Sequence, residues 1–237
     1  MNAASAKAKR SVKEYLDASE RERRILEAAI AFVADRGLSF STRELADHLG
    51  ISQPLLYRYF ANKEALVERI YDEVYLKRWN PQWNVNLADR SRPVSDRLTE
   101  YLSDYTRTIL DEHWIRIFIA SALEDPKISR RYLKMLHETT FPLIFEEVGA
   151  EIGVEVPKTD SIRALAHEVV WGFHSSFFYL GVRKYIYRTE LPENLEDVMR
   201  ARVDVFVAGL QATMPSLIER FSVVEQPQTS DEELARS

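Results

Sequence analysis

The fold is decided by residues 41–60, which read STRELADHLGISQPLLYRYF. Ser41 and Glu44 have the spacing of a capping box, which predicts a helix that starts directly after Ser41. Ser52 can cap a second helix, and Pro54 then falls in the first turn, where proline is tolerated. The stretch therefore predicts two short helices joined by the turn Gly-Ile-Ser.

Three residues of this stretch have the spacing of a helix-turn-helix. That motif needs a small residue where the helices cross, a glycine at the turn and an apolar residue that faces inward. Ala46, Gly50 and Leu56 meet these needs. The front of the second helix would then be free to enter a DNA major groove. The same spacing also fits an αα-corner in any helical protein, so spacing alone leaves both interpretations open.

The flanking segments predict two more helices. A second capping box, Ser19 with Glu22, predicts a helix start, and Gly37 stands where that helix should end. Asn62 can cap a further helix that runs to about Trp79. Four helices are therefore predicted in the first third of the chain.

The rest of the chain is also predicted to be helical. Residues 81–93 lack a helical period and are expected to form a linker, beyond which apolar residues recur at helical spacing. Pro142 predicts a kink, and the last two helices are expected at about 160–187 and 194–214. A strand-like alternation at 152–156 is too short to seed a sheet. We therefore predict an all-α fold of about nine helices.

The pattern divides the chain into four predicted parts. These are a basic N-terminal arm (1–18), a helix-turn-helix domain (19–80), a larger helical domain (81–222) and a polar tail (223–237). Residues 1–80 hold 14 Lys and Arg against 12 Asp and Glu, whereas the remainder holds 18 against 25. The arm could contact phosphates or could simply be solvated. Its basic residues are Lys7, Lys9, Arg10 and Lys13.

The composition excludes several classes of protein. The chain has no cysteine, which rules out disulfides, cysteine-ligated metal sites and a thiol nucleophile. With 46% apolar and 29% charged residues, it has the composition of a globular protein. No apolar run is long enough to span a membrane, and the first residues lack the apolar segment of a secretion signal. We therefore expect a cytoplasmic protein.

The sequence lacks the common signals of catalysis and cofactor binding. None of the five histidines follows a glutamate at three residues, so the Glu-x-x-His pattern of di-iron bundles is missing. No glycine-rich phosphate loop, G-x-S-x-G motif or nucleophile and base at a recognisable spacing occurs. We therefore predict no metal, no cofactor and no enzyme activity.

Residues 25–70 resemble, without a gap, the DNA-binding domain of the tetracycline-repressor (TetR) family. The most specific pieces are TRELADHLGIS, LYRYF and NKEAL. The resemblance implies a transcription regulator, usually a repressor, that binds a palindromic DNA operator as a homodimer until a small-molecule effector releases it. The alternative is a helical small-molecule carrier or enzyme with a vestigial helix-turn-helix.

One group of residues is predicted to contact DNA phosphates. A helix N-terminus, cationic groups and hydroxyls can all hold a phosphate and so position the protein on DNA. The residues of this group are Thr42, Arg43, Tyr57 and Lys63. Arg43 could instead be an ordinary ion-paired surface residue.

A second group is predicted to read bases from the exposed face of the third helix. An amide can pair with an adenine edge, and apolar side chains can press on a thymine methyl. The residues of this group are Gln53, Pro54, Leu55 and Tyr59. Tyr59 could reach either a base or a phosphate.

Aromatic residues concentrate in the C-terminal part, where the resemblance implies a ligand cavity. A cavity lined in this way suits an apolar or aromatic molecule. The candidate lining residues are Tyr105, Trp114, Phe118, Tyr132, Trp171, His174 and Phe178. His174 would be the polar handle, but it could equally be a hydrogen-bonded core histidine. More of these aromatics are expected in the core than in a cavity wall.

The last two helices carry small residues that would let helices pack closely. The candidate residues of a dimer interface are Gly172, Phe173, Ser176, Val205, Ala208, Gly209 and Ala212. The resemblance implies a four-helix bundle formed with a second copy, which favours a homodimer. The alternative is burial of these residues within one subunit.

Overall fold

The computed structural model describes the backbone of residues 3–222 and the side chains of residues 18–222. Its α-helices are α1 (Ala3–Arg36), α2 (Thr42–His48), α3 (Gln53–Tyr59), α4 (Lys63–Val74), α5 (Gln82–Leu87), α6 (Val94–Ile109), α7 (Glu112–Glu124), α8 (Lys127–Met135), α9 (Phe141–Glu151), α10 (Asp160–Gly181) and α11 (Leu195–Ser222). A 3₁₀ turn follows α4, and π-helical segments follow α8 and α10. The described residues contain no strand, and the all-α prediction is confirmed. No helix among them is long and apolar enough to cross a membrane.

Packing divides the chain into two compact units. The first takes the chain up to Asn80 together with Ile109–Tyr132. The second takes Pro81–Thr108 and the described residues from Leu133 onward. The chain therefore passes between the units three times. The predicted boundary at residue 80 instead groups the middle segment, which contains α7, with the C-terminal domain.

The predicted helix start at Ser19 is wrong. α1 begins at Ala3 and passes through Ser19 without a break. The segment before Ser19 is rich in alanine and lysine, which favour helix, so nothing stops the helix there. A Ser-x-x-Glu spacing can therefore lie inside a helix. The predictions that fall outside the described residues concern the side chains of Lys7, Lys9, Arg10 and Lys13 and the tail at 223–237.

The end of α1 is fixed by a glycine and by α7. Gly37 has a φ of +81°, which residues with a side chain rarely adopt, and ends the helix as predicted. α7 packs along α1 within the first unit. Arg116 of α7 donates from Nε to the Ala34 carbonyl at 2.7 Å, and its Nη2 lies 3.3 Å from the Asp35 carboxylate. One arginine thus joins the two helices at the point where α1 stops.

The predicted linker contains a short helix. α5 buries Trp83 and Leu87, which lie four residues apart on one face. The Trp83 Nε1–H donates to Asp104 Oδ2 of α6 at 2.7 Å. Because this helix has six residues and its apolar residues, Trp83, Val85 and Leu87, alternate with polar ones, no helical period could be recognised in the sequence.

Pro142 predicts a kink, and the structure has an irregular helical turn directly before this proline. Proline has no backbone N–H, and its ring crowds the preceding helical turn. The π-helical segment Leu136–Thr140 occupies that turn, between α8 and α9. The long helix is interrupted there rather than ended.

A buried ion pair joins α6 to α9 in the second unit. The side chains of Arg97 and Glu147 are 1% and 6% exposed, and Arg97 Nη1 lies 2.7 Å from Glu147 Oε2. Arg90 Nη2 lies 2.9 Å from Glu147 Oε1. Arg97 also donates to the Leu87 and Arg92 carbonyls. Burial acts to raise the pKa of Glu147, but hydrogen bonds from Arg90 and Arg97 outweigh it, so the pKa lies below its ordinary value.

Candidate nucleic-acid interface

The turn between α2 and α3 has the predicted geometry. Gly50 has a φ of +64°, and its N–H donates to the Asp47 carbonyl at 3.2 Å. The Ile51 N–H donates to the Ala46 carbonyl at 3.0 Å. Ala46 and Leu56 are each 1% exposed, so both face inward. The prediction of two short helices and a tight turn is confirmed.

The starts of α2 and α4 are set by side-chain caps. The Glu44 N–H donates to Ser41 Oγ at 3.1 Å, and the Ser41 N–H donates to Glu44 Oε2 at 2.7 Å. The bond from the Ser41 backbone is the main reason that the pKa of Glu44 is lowered. At α4, the Ala65 N–H donates to Asn62 Oδ1 at 2.7 Å. Both predicted caps are confirmed.

Ser52 is the N-cap residue of α3 as predicted, but it caps the helix without its side chain. Ser52 stands directly before α3, but its side chain makes no capping hydrogen bond. Pro54 has no N–H to offer, and the Leu55 N–H donates to the Ser52 carbonyl at 2.9 Å. The carbonyl of Ser52, and not its hydroxyl, therefore accepts the hydrogen bond from the first turn of α3.

A polar cluster links the first residue of α2 to α3. Thr42 Oγ1 and the Tyr57 hydroxyl are 2.8 Å apart. Gln53 Nε2 donates to Thr42 Oγ1 at 2.8 Å and to the Tyr57 hydroxyl at 3.4 Å. Thr42 and Gln53 are half-buried, and Tyr57 is 43% exposed. We call these three residues the Thr42–Gln53–Tyr57 cluster.

The other residues predicted to contact DNA on α2 and α3 are accessible to different degrees. Arg43 and Pro54 are exposed, and Leu55 and Tyr59 are half-buried. The outer surface of the two helices therefore offers a cation, hydroxyls, an amide and apolar groups. These are the group types that hold phosphates and contact base edges.

Lys63 has a structural role that its neighbours in the sequence do not indicate. Its Nζ donates to the Leu38 carbonyl at 2.5 Å and to the Phe40 carbonyl at 2.7 Å. The same nitrogen lies 4.5 Å from the centre of the Phe40 ring. Lys63 thus holds the segment between α1 and α2. Its proposed contact with a phosphate would compete with these bonds.

Three of the predicted effector residues pack together in the first unit. The Trp114 and Phe118 rings stack with centroids 5.2 Å apart. Tyr132 meets Trp114 edge-on at 5.4 Å. Tyr75, which was not predicted, completes the group at 5.1 Å from Trp114 and donates its hydroxyl to the Trp114 carbonyl. Trp114 is 1% exposed, as expected of a core residue.

The other four predicted effector residues lie in the second unit. His174 is 3% exposed, with its ring 4.5 Å from that of Tyr105 and its Nε2 2.9 Å from the Tyr101 hydroxyl. Burial lowers the pKa of His174 to about 3. Trp171 and Phe178 are half-buried on the same helix. His174 therefore has the hydrogen bond expected of a core histidine, and the predicted set is divided between the two units.

The residues predicted for a dimer interface lie on an open apolar face of α10 and α11. Val205 is 74% exposed, and a Cβ built on Gly172 or Gly209 would meet no atom within 4 Å. Phe173 of α10 stacks on Phe206 of α11 with ring centroids 3.8 Å apart. A shallow groove runs over this face. Ser176 is half-buried; the remaining residues of the set, Ala208 and Ala212, are exposed.

Two histidines near the π-helical segment are also close together. The His137 and His167 rings are 4.8 Å apart, and the Nε2 atom of each is buried without a hydrogen-bond partner. Burial is the main cause that lowers the pKa of His137. Among the described side chains, no three His, Asp or Glu residues are grouped so that they could hold a metal ion.

Comparisons with known proteins relate the chain to one group of regulators. Residues 25–70 match the family model for "Bacterial regulatory proteins, tetR family". The fold is similar to that of a tetR-family transcriptional regulator from Streptomyces coelicolor, with 19% identity over 92% of this chain and 95% of that one and a TM-score of 0.53. It is also similar to the ketosteroid transcriptional regulator KstR2 of Mycobacterium tuberculosis, with 21% identity over 80% and 94% of the two chains and a TM-score of 0.52. AmtR of Mycobacterium smegmatis gives 18% identity over 82% and 94% and a TM-score of 0.52. At these identities the likeness shows a shared fold.

Proposed function

We propose that this chain, whose residues 25–70 match the family model for bacterial regulatory proteins of the tetR family, is a transcription repressor whose homodimer binds a palindromic DNA operator and releases it when a small molecule binds. The observation that carries the proposal is the helix-turn-helix of α2 and α3. Its inner side is closed by Ala46 and Leu56, and its outer side carries Gln53, Pro54 and Arg43. An outward α3 of this kind fits the major groove.

The chemistry of the exposed side chains indicates which of them would contact phosphates and which would contact bases. The guanidinium of Arg43 is exposed and suits a phosphate, which carries no sequence information. The amide of Gln53 can distinguish base edges, and Pro54 and Leu55 can contact a thymine methyl. Sequence preference is therefore assigned to α3 and positioning to the start of α2.

Selection of DNA sites from a random pool tests this proposal. We expect the protein to select one palindrome, and Gln53→Ala to lose about 1–3 kcal/mol of binding free energy at a single base pair of each half-site. Arg43→Ala should weaken binding to selected and random DNA alike and should reduce the salt slope by about one. Affinities measured at several salt concentrations provide both quantities.

The outcomes separate the two classes of function. A protein that selects no sequence would favour the alternative, a helical small-molecule carrier or enzyme with a vestigial helix-turn-helix. An Arg43→Ala variant that changes base preference at constant salt slope would contradict the positioning role.

We propose that an effector acts on the DNA-binding helices through the segments of chain that join the two units. The segment Ile109–Tyr132 belongs to the first unit but continues at both ends into residues of the second. A ligand that moves those residues would therefore act on α7, which packs on α1. A ligand that prefers the DNA-free conformation by about 3 kcal/mol would lower operator affinity about 150-fold. The aromatic groups around Trp114 and His174 favour an apolar or aromatic effector.

A homodimer is proposed to form through the open face of α10 and α11. Gly172→Asp and Ala208→Asp place a charge there without a clash inside the subunit, because Gly172 has free space at Cβ and Ala208 is exposed. Since burying an unpaired charge is costly, we expect each to raise the dimer dissociation constant about a hundredfold or more. Light scattering over a range of protein concentrations measures this. Ala122→Asp, on the exposed side of α7, is the matched control and should stay dimeric.

A further inference from the structure

We propose that Arg58 of α3 reads a guanine in each half-site of the operator, at a base pair other than the one that Gln53 contacts. The inference rests on the proposed DNA-binding function and adds a specificity-determining residue to it. Arg58 is exposed, and its side chain makes no hydrogen bond or ion pair with any of the described residues. The proposal names one base that the operator must contain.

Arg58 lies on the side of α3 opposite to its buried side. Leu56 is 1% exposed and faces inward. Successive residues of an α-helix are about 100° apart around its axis. Pro54 and Arg58, two residues before and two residues after Leu56, therefore both lie within about 20° of the direction opposite to it. Both are exposed, and together they form the outermost line of α3.

The guanidinium of Arg58 is free for a partner outside the chain, whereas polar groups near it are already bonded. In the Thr42–Gln53–Tyr57 cluster, the Tyr57 hydroxyl lies 2.8 Å from Thr42 Oγ1, and Gln53 Nε2 donates to the same oxygen. α3 contains no Asp or Glu, and no acidic side chain in the described part of the chain pairs with Arg58. Its N–H donors therefore remain available to DNA.

The position of Arg58 indicates a base rather than a phosphate as its partner. In a helix-turn-helix, the second helix lies in the major groove and the first crosses the DNA backbone. The outer line of α3 would therefore face the base edges at the floor of the groove. Arg43 lies at the start of α2, where the backbone is the expected partner. The two exposed arginines of the motif thus have different proposed partners.

The chemistry of a guanidinium selects guanine among the four bases. Its planar fork donates two parallel hydrogen bonds, and guanine presents two acceptors, O6 and N7, in the major groove. Adenine and cytosine each present an amino donor there, which a guanidinium cannot accept. Thymine presents one acceptor beside a methyl group. Guanine is therefore the base that satisfies Arg58 most fully.

The test begins with DNA selection for the wild-type protein and for Arg58→Ala. At one position of each half-site, we expect wild-type protein to prefer guanine over the other bases about 5- to 150-fold. In Arg58→Ala, this preference should fall to about twofold or less. All other positions, including the one that Gln53→Ala relaxes, should keep their preferences. Affinities measured at low salt keep weak binding detectable.

A modified base tests the same contact at one atom. 7-Deazaguanine has a carbon in place of N7, so it lacks one of the two acceptors but still pairs with cytosine. Placed at that position in one half-site, it should weaken binding of the wild-type protein about fivefold or more. Arg58→Ala should lose about twofold or less, because the two changes remove the same contact. A contact of Arg58 with a phosphate predicts equal losses for both proteins.

Arg43→Ala is the matched control, because it removes another exposed arginine from the same motif. It should weaken all operators alike and leave the preference for guanine unchanged. Thermal unfolding of both variants should stay close to that of the wild-type protein, since neither side chain is buried.

Three outcomes overturn the inference. Arg58→Ala could leave every base preference unchanged, it could relax a position that does not prefer guanine, or 7-deazaguanine could weaken both proteins equally. In the first case, a uniform loss with a salt slope reduced by about one would identify Arg58 as a phosphate contact. In all three cases the wild-type protein still selects a palindrome and the proposed function stands. A wild-type protein that selects no sequence would remove both.

Discussion

Glu147→Gln is expected to lower the free energy of unfolding by about 3–5 kcal/mol. The change takes the nearer carboxylate away from the guanidinium of Arg97, whose side chain is 1% exposed, and leaves it the longer contact of Nη2 with Glu151 Oε2, at 3.9 Å. A buried charge without a partner is much more costly than the pair is favourable. Glutamine has nearly the same volume as glutamate, so a cavity contributes little. Chemical denaturation at neutral pH measures the difference.

A surface ion pair in the same unit is the matched control. Arg92 Nη1 lies 2.7 Å from Glu100 Oε2, but both side chains are about half exposed. Glu100→Gln should therefore cost less than about 1 kcal/mol. Equal losses for the two variants would mean that burial does not determine the contribution of Glu147. Replacing Arg97 and Glu147 together by apolar residues should recover part of the stability, because no unpaired charge then remains.

The second large effect concerns pH. We expect His174 to lower the free energy of unfolding by about 1.4 kcal/mol for each unit that the pH falls between 6.5 and 3, and by about 5 kcal/mol in all. The reason is that His174 stays unprotonated in the folded protein over this range. Burial lowers the pKa of His174 from 6.5 to about 3 in the folded protein. In that window the unfolded chain binds a proton that the folded chain does not. The contribution is therefore complete above pH 6.5 and is lost as the pH falls.

Two variants isolate this contribution from that of the carboxylates. His174→Gln removes the ionisable ring, so its stability should change less between pH 6 and pH 4.5 than that of wild type, by about 2 kcal/mol. Tyr101→Phe removes the hydroxyl 2.9 Å from His174 but leaves the ring buried. It should keep the wild-type slope, because burial is the cause of the shift. A slope that disappears in Tyr101→Phe would show that the hydrogen bond, and not burial, keeps the ring neutral.

The helix ends near the turn could be predicted because each is fixed by neighbours in the sequence. Ser41 and Glu44 bond each other across three residues, and Asn62 bonds the N–H of Ala65. Gly50 adopts a positive φ that few other residues would accept. Such signals are local, and they are enough to predict a helix-turn-helix with candidate residues on its outer face.

The missed features join residues that are distant in the chain. Lys63 binds carbonyl groups more than twenty residues away, and Arg116 bonds Ala34 across 82 residues. A helical period shows which face of a helix is apolar but not which helix covers that face. Trp114 and His174 were therefore predicted for one cavity, although they pack in different units.

The three passages of the chain between the units limit how this protein could be recombined with its relatives. A hybrid that took residues 1–80 from this chain and the remainder from another protein of this fold would contain α1 but not α7 of this chain. Ala34 would then lack the guanidinium of Arg116 that binds it, and the side of α1 packed by α7 would meet a foreign helix. The unit that must be transferred together is discontinuous in the sequence, since it consists of residues 1–80 and 109–132. A hybrid whose first unit is intact should therefore keep residues 1–80 and 109–132 from the same parent.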